Sequence, residues 1–289
     1  MQKGKHRIPE GVWSCLQDTL IILLLLSIFP VGLFVWAWGT DLKHEWVARE
    51  MIDPQAVEYI EQNYPDNDFE VNEASHVFKE NCFRVRVRSR SSQDTYFVLD
   101  YDDDEPYELI RDSYDSAVLE GCNTRARVVE EYVSMVEECL GKMNGLSRLY
   151  SDFCHYSDSE SRGLYFSPQG LKLETLVVDY PYDAAAMGND YGYLEVTFLD
   201  SDENINIHRA LERMLEIDRV LTENGIGYYV IEVTIANGEY PNNTHELNIY
   251  GVRKQDLFCD DPIDRLQEMW DEQESHRQAL KEQWAQAGE

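Results

Sequence analysis

Four arginines, Arg84, Arg86, Arg88 and Arg90, alternate with Phe83, Val85 and Val87. Successive side chains of a strand point to opposite faces, so these guanidinium groups share one face, about 6.6–7 Å apart. Planar guanidinium forks at that spacing suit successive groups of an anionic polymer such as a wall phosphate chain. The competing role is structural. Asp68 and Glu70 share a face of the preceding strand and can pair with the arginines across a hairpin. In so acidic a chain that pairing is the favoured role, and the hypothesis beside it is that the middle pair, Arg86 and Arg88, stays free of carboxylates and offers an anion-binding face. A second candidate follows the next strand, where Asp100-Tyr-Asp102-Asp103-Asp104-Glu105 puts five carboxylates in six residues. Asp100, Asp102 and Asp104 offer the oxygen ligands that Ca²⁺ takes, though a like-charged run is also what a solvated loop carries. Asp200-Ser-Asp202-Glu-Asn204 opens like a calcium loop but has Ile205 where the sharp turn needs glycine. Leu211 stands where a bidentate glutamate is needed, so this segment reads as the cap of a helix.

Other reactive types do not assemble along the chain. The seven histidines (6, 44, 76, 155, 208, 245 and 276) are scattered. His245-Glu246 begins like a zincin motif, but Ile249 occupies the second ligand position. Neither GxSxG nor GxxxxGK[ST] occurs, and Cys154-His155 are chain neighbours that cannot face each other as nucleophile and base. Of the six cysteines, Cys82, Cys122, Cys139, Cys154 and Cys259 follow position 38, and none makes a CxxC pair. Tyr180, Tyr182, Tyr191 and Tyr193 gather near one strand–loop junction. Such rings can stack on sugars or peptides, while β-propensity and partial burial account for them equally well. Tyr180 and Tyr182 are the ligand candidates among them. Asn242-Asn243-Thr244 is a single glycosylation sequon in an expected loop. No catalytic residue and no cofactor are expected.

Charge narrows the classes further. The 289 residues hold 25 Lys+Arg and 55 Asp+Glu, a formal net charge of −30. That excess argues against nucleic acid as partner, because phosphate backbones are bound chiefly through Lys and Arg. Thr19 to Trp38 runs twenty residues without a charge, and a helix of that length is ~30 Å long, the thickness of a bilayer's hydrocarbon core. Trp13, Trp36 and Trp38 stand where indoles favour the membrane boundary. The run exceeds the 7–15 residues usual for a cleaved signal, which favours an uncleaved anchor. Lys3, Lys5 and Arg7 precede the span, while Lys43 and Arg49 follow it among four acids, a bias that favours the N-terminus inside. Three basic and two acidic residues precede position 41, so residues 41–289 carry 22 and 53, a net charge of −31. A domain that acidic should stand off an anionic leaflet.

The elements that position these residues read as α+β. Asp53-Pro54 starts a helix that Tyr64-Pro65 stops. Strands are expected over Phe69–Phe78, Cys82–Arg90 and Thr95–Asp100, with hairpin connections. Asn123-Thr124 caps a helix whose apolar stripe runs Val128, Val129, Tyr132, Val133, Val136, Cys139, Leu140 and Met143. The Ser/Asp-rich stretch Leu149–Gly163 reads as a loop and domain boundary. Beyond it come strands Leu171–Tyr180 and Tyr193–Leu199, a helix from Ile207 to Leu221 ended by Asn224-Gly225, and strands Tyr228–Ala236 and Glu246–Val252. Asp261-Pro262 opens a last helix, whose stripe thins and frays after Trp270. The domains expected are a cytoplasmic tail 1–18, a transmembrane helix 19–38, α+β domains 41–150 and 160–258, and a helical tail 260–289. Helix-then-hairpin in both halves suggests two related antiparallel-sheet sandwiches.

Ala56-Val57-Glu58-Tyr59 followed by Tyr64-Pro65 and Phe69-Glu-Val71, with Phe83-Arg-Val-Arg-Val-Arg88 and Tyr96-Phe-Val98, resembles the uncharacterised YfjL-like membrane-anchored proteins of Gram-positive bacteria. The same stretch is similar to the α-β-β-β arrangement of PepSY-type extracytoplasmic domains. The resemblance spans roughly residues 19–110, with a fainter echo in 205–252, and it implies a bacterial cell-surface location and no established activity. The expected function is a single-pass, membrane-anchored extracytoplasmic binding or sensing module without catalytic chemistry. Its C-terminal domain would lie outside, where an anionic surface polymer or a membrane protein is its partner. The competing expectations are a membrane-tethered hydrolase with a spatially assembled site, and an acidic Ca²⁺-responsive module.

Overall fold

The computed structural model describes residues 42–153, 176–201, 205–238 and 245–287. The chain divides into two compact units, Met1–Asp115 and Ser116–Glu289. The division therefore precedes the long helix, where the sequence places a boundary within 149–163. The uncharged stretch 19–38 lies outside the described residues. Among those described, no helix is long and apolar enough to cross a membrane.

In the first unit, residues 42–47 are helical and continue through a π-helical turn, Ala48–Ile52, into helix α1, Asp53–Asn63. Pro54 explains the wide turn: it has no N–H to donate, and its ring crowds the carbonyl four residues back. The backbone instead bonds from Asp53 to the Ala48 carbonyl. Asp53 is thus within a continuous helix and not its cap, and its carboxylate accepts from the Ala74 backbone N–H at 2.7 Å. Ala48, Ile52, Ala56 and Ile60 are buried at four-residue spacing and form the stripe that faces the core.

The sheet of this unit is wholly antiparallel. Its strands are β1 (Phe69–Val71), β2 (Ser75–Val77), β3 (Cys82–Ser89), β4 (Tyr96–Asp102) and β5 (Leu109–Asp112). The order is β1-β3-β4-β5, with β2 also on β3. The single strand expected over Phe69–Phe78 is interrupted at residues 72–74, and its two pieces share one edge of β3. Register decides the faces. Phe83 opposes Tyr101, Val85 opposes Leu99 and Val87 opposes Phe97, and all six are buried. The intervening positions set Arg84 against Asp100, Arg86 against Val98 and Arg88 against Tyr96 on the outer face.

The second unit is built differently, so the halves are not repeats of one sandwich. Its elements are α2 (Cys122–Leu140), β6 (Leu146–Phe153), α3 (Ala184–Tyr191), β7 (Gly192–Leu199), α4 (Ile207–Glu223), β8 (Val230–Ala236), β9 (Glu246–Val252), α5 (Lys254–Leu257) and α6 (Pro262–Ala287). The sheet runs β6-β7-β8-β9, with β7 and β8 parallel across α4 and the other pairs antiparallel. Three corrections follow from this unit. Residues 149–153 are strand and not loop; residues 176–180 are not strand; and α6 stays helical to Ala287 instead of fraying after Trp270. Helix α2 starts after a left-handed Gly121, with Asn123 and Thr124 buried inside it instead of capping it. Val128, Tyr132, Val136 and Leu140 form its buried stripe against Phe153, Leu194, Phe198, Met214 and Ile217.

Candidate functional site

The arginine face of β3 is where the sequence places it, but its partners divide the four residues. Arg84 forks onto Asp100, with Nε donating to Oδ1 at 2.7 Å and Nη2 to Oδ2 at 3.0 Å, and it also bonds Glu80. Asp100 is 3% exposed and takes a second guanidinium, Arg111, at 2.9 Å. Arg88 donates to Glu70 at 2.6 and 2.8 Å. That corrects the hypothesis of a free Arg86–Arg88 pair: Arg88 has the carboxylate that cross-strand pairing provides. The hydrogen bond from Arg88, then its charge, hold the Glu70 carboxyl below the usual carboxylate range, and Arg90 adds to the effect. Asp68 pairs with no guanidinium among the described residues; it accepts from the Ser89 hydroxyl at 2.6 Å. Arg86 is exposed, and among the described residues its guanidinium makes no ion pair or hydrogen bond. At the hairpin tip a shallow cleft of about 500 Å³ is lined by Arg88, Arg90, Gln93 and Tyr96 with serine and threonine hydroxyls.

Of the acidic run, Asp102, Asp103 and Asp104 bring carboxylate oxygens within 4.8 Å of one another, and Asp100 is not among them. Asp100 lies within β4, neutralised by two arginines, and a group so engaged is not offered to a cation. Asp102 accepts from the backbone N–H of Asp104 at 3.1 Å, an Asx turn. Asp103 also places Oδ2 at 3.2 Å from His76 Nε2. In the Asp200 segment the carboxylate is held by Arg209 at 2.7 Å, and Asn206 caps α4 through the Arg209 N–H. Residues 202–204 lie outside the described residues.

What sequence spacing hid is the meeting of His44, His76 and Asp103, whose ligating atoms all lie within 4.8 Å of one another. His44 stands four residues before Ala48, one turn upstream on the stripe that carries Ile52, Ala56 and Ile60. His76 is opposite Phe83 in the β2–β3 register, a core-facing position. The two imidazoles stack at 3.9 Å with planes 13° apart. Phe78 and Phe83 close around them edge-on, at 4.7 and 5.1 Å from the His76 ring. A polar residue heading an apolar helical stripe was the available signal.

In the second unit Tyr180 and Tyr182 do meet, at 4.7 Å between ring centres. The Tyr182 hydroxyl accepts from the Val177 N–H, and Arg127 donates to the Tyr180 carbonyl. Tyr182 lines a shallow cleft of about 550 Å³ with Arg127, Glu131, Ser134 and Asp183. Tyr191 packs on Phe153 and Tyr193 on Tyr150, so the four tyrosines form no single platform. Cys82, Cys122, Cys139 and Cys259 are free thiols, and burial pushes the Cys82 thiol up, away from reactivity. Cys154, His155 and the sequon fall outside the described residues.

No family model matches the chain, and no curated protein does. Among solved structures, a DUF5037 family protein from Ruminococcus gnavus ATCC 29149 aligns over 75% of this chain and 97% of its own, at 11% identity and a TM-score of 0.22.

Proposed function

We propose that this chain is an extracytoplasmic binding module, anchored by one helix over residues 19–38 with its N-terminus in the cytoplasm, and that the outer face of β3 takes an anionic surface polymer. The observation that carries the reading is Arg86: an exposed guanidinium that has no carboxylate partner among the described residues, in a chain with 55 acids against 25 bases. In so acidic a background the default fate of an arginine is neutralisation, as Arg84 and Arg88 illustrate. Arg90 extends the face to the hairpin cleft, where hydroxyls and Tyr96 add hydrogen-bonding edges to a phosphate- or carboxylate-bearing chain. Nothing in this arrangement performs chemistry.

The test pairs Arg86→Gln and Arg90→Gln in the full chain, with binding to purified anionic wall polymer read at low and high salt. Loss of binding with an unchanged melting temperature supports the site. Undiminished binding by the double variant refutes it. Topology is checked separately by protease on intact cells: removal of the C-terminal region to a small membrane-bound stub is expected, and protection until lysis contradicts the orientation.

A further inference from the structure

We propose that His44, His76 and Asp103 bind a divalent transition-metal ion of the zinc type. Three observations converge. The donor set, two imidazoles and one carboxylate, is the set such ions prefer, with positions left for water. His76 Nε2 and Asp103 Oδ2 stand 3.2 Å apart. Two donors each ~2.0–2.1 Å from one ion at a tetrahedral angle stand roughly 3.3 Å apart, so this pair already has the separation of two ligands. The third observation is the surroundings. The His76 side chain is 6% exposed, the stacked rings are walled by Phe78 and Phe83, and Asp103 is the carboxylate at hand. An imidazole ligates through a neutral ring nitrogen, and each ring brings one such atom to the cluster.

Geometry also sets the limits of the site. An ion must lie in the plane of each ligating ring, which face-to-face stacking forbids, so binding turns the His44 ring out of the stack. His76 Nδ1 is buried and, among the described residues, reaches no acceptor. A ligating histidine usually donates that N–H to an outer partner, whose loss weakens metal affinity by about 10–100-fold. The site is accordingly an exchangeable one, and its ion leaves to a chelator without unfolding the unit.

The full chain in detergent, stripped with a chelator, is titrated with Co²⁺ as a spectroscopic probe and then with Zn²⁺. The expected result is one Co²⁺ per chain with the visible bands of nitrogen and oxygen ligation, no thiolate charge-transfer band, and displacement by Zn²⁺. His44→Gln and His76→Gln should each lower affinity at least ~100-fold, and Asp103→Asn about 10–100-fold, while Asp102→Asn leaves it unchanged. Because His76 is buried, a second measurement uses the unsubstituted chain: Zn²⁺ should protect both histidines from carbethoxylation. The proposal is overturned if the histidine variants bind as tightly as the parent. It is equally overturned if blocking the thiols abolishes binding, or if Zn²⁺ gives no protection.

Discussion

Asp100→Asn is the substitution that most directly tests how an acidic chain holds its basic strand. Asparagine matches aspartate in shape, so packing in β4 is conserved, but the charge is lost and one oxygen becomes an NH₂ group. In place of Oδ2 that donor would face both Arg84 Nη2 and Arg111 Nη2, which donate there at 3.0 and 2.9 Å, and in place of Oδ1 it would face Arg84 Nε, which donates at 2.7 Å. Two bounds frame the cost. An exposed ion pair contributes about 0–1 kcal/mol, and breaking a fully buried one costs about 3–5 kcal/mol. Asp100 is almost wholly buried, yet Arg111 is half exposed and Arg84 keeps Glu80 as a second partner, so neither arginine is stranded. The loss is therefore expected near the middle, about 2 kcal/mol. For a unit of this size that corresponds to a fall of ~8–16 °C in its melting transition. Urea unfolding followed by hydrogen exchange at β3 and β4 amides separates this unit from the other. The stability difference should persist in 1 M salt, because buried pairs are screened little. A variant within ~0.5 kcal/mol of the parent, or a difference that salt removes, would show that Asp100 acts like any surface carboxylate.

Three further outcomes are expected. Burial and the hydrogen bond to Asp112 push the Tyr59 hydroxyl up to about 12, so the folded unit favours the protonated phenol. That contribution is complete below pH ~10 and lost as pH rises through about 12, and phenolate absorbance should show Asp112→Asn ionising Tyr59 earlier. A Cβ on Gly192 would meet the Tyr132 hydroxyl and the Gly188 carbonyl, so Gly192→Ala should cost about 1–3 kcal/mol by overpacking, part of it recovered by Tyr132→Phe in a thermal-melt cycle. Gln273 clamps the free edge of β9, accepting from the Tyr250 N–H at 3.3 Å and donating to its carbonyl at 3.0 Å; Gln273→Ala should speed hydrogen exchange in α6 and β9 before it changes β6 or β7.

How far the sequence foretells this architecture depends on which force dominates each element. Helix α4 and strand β9 have strong apolar periodicity, and β9 has the bounds expected, Glu246–Val252. Strands β5 and β6 escaped because, among the described residues, they lie at sheet edges, where polar residues persist: none of Leu109-Ile-Arg-Asp is buried, and only Ser151 and Phe153 are buried in β6. The interruption between β1 and β2 depends on a carboxylate from α1, Asp53, reaching the Ala74 N–H, and pairings that distant leave no local signature. Charge misled in a related way. A run of five acids looks solvated along the chain, yet its first member points the opposite way from Leu99 and Tyr101 onto the arginine face, where two guanidinium groups neutralise it.

The same alternation accounts for both candidate sites. The outer face of β3 carries Arg84, Arg86 and Arg88, and the carboxylates opposite Arg84 and Arg88 leave Arg86 unmatched because its cross-strand neighbour on β4 is Val98. On the inner face the pleat points Phe83 at His76, and the helical stripe that begins at His44 descends onto the same place. One strand thus presents a cation to solvent on one side and closes an apolar wall around imidazoles on the other. The two faces should answer to perturbation independently: Arg86→Gln leaves metal binding unchanged, and His44→Gln leaves polymer binding unchanged. A loss of both functions from either substitution would mean that the strand itself had been displaced, and that neither loss reports on a site.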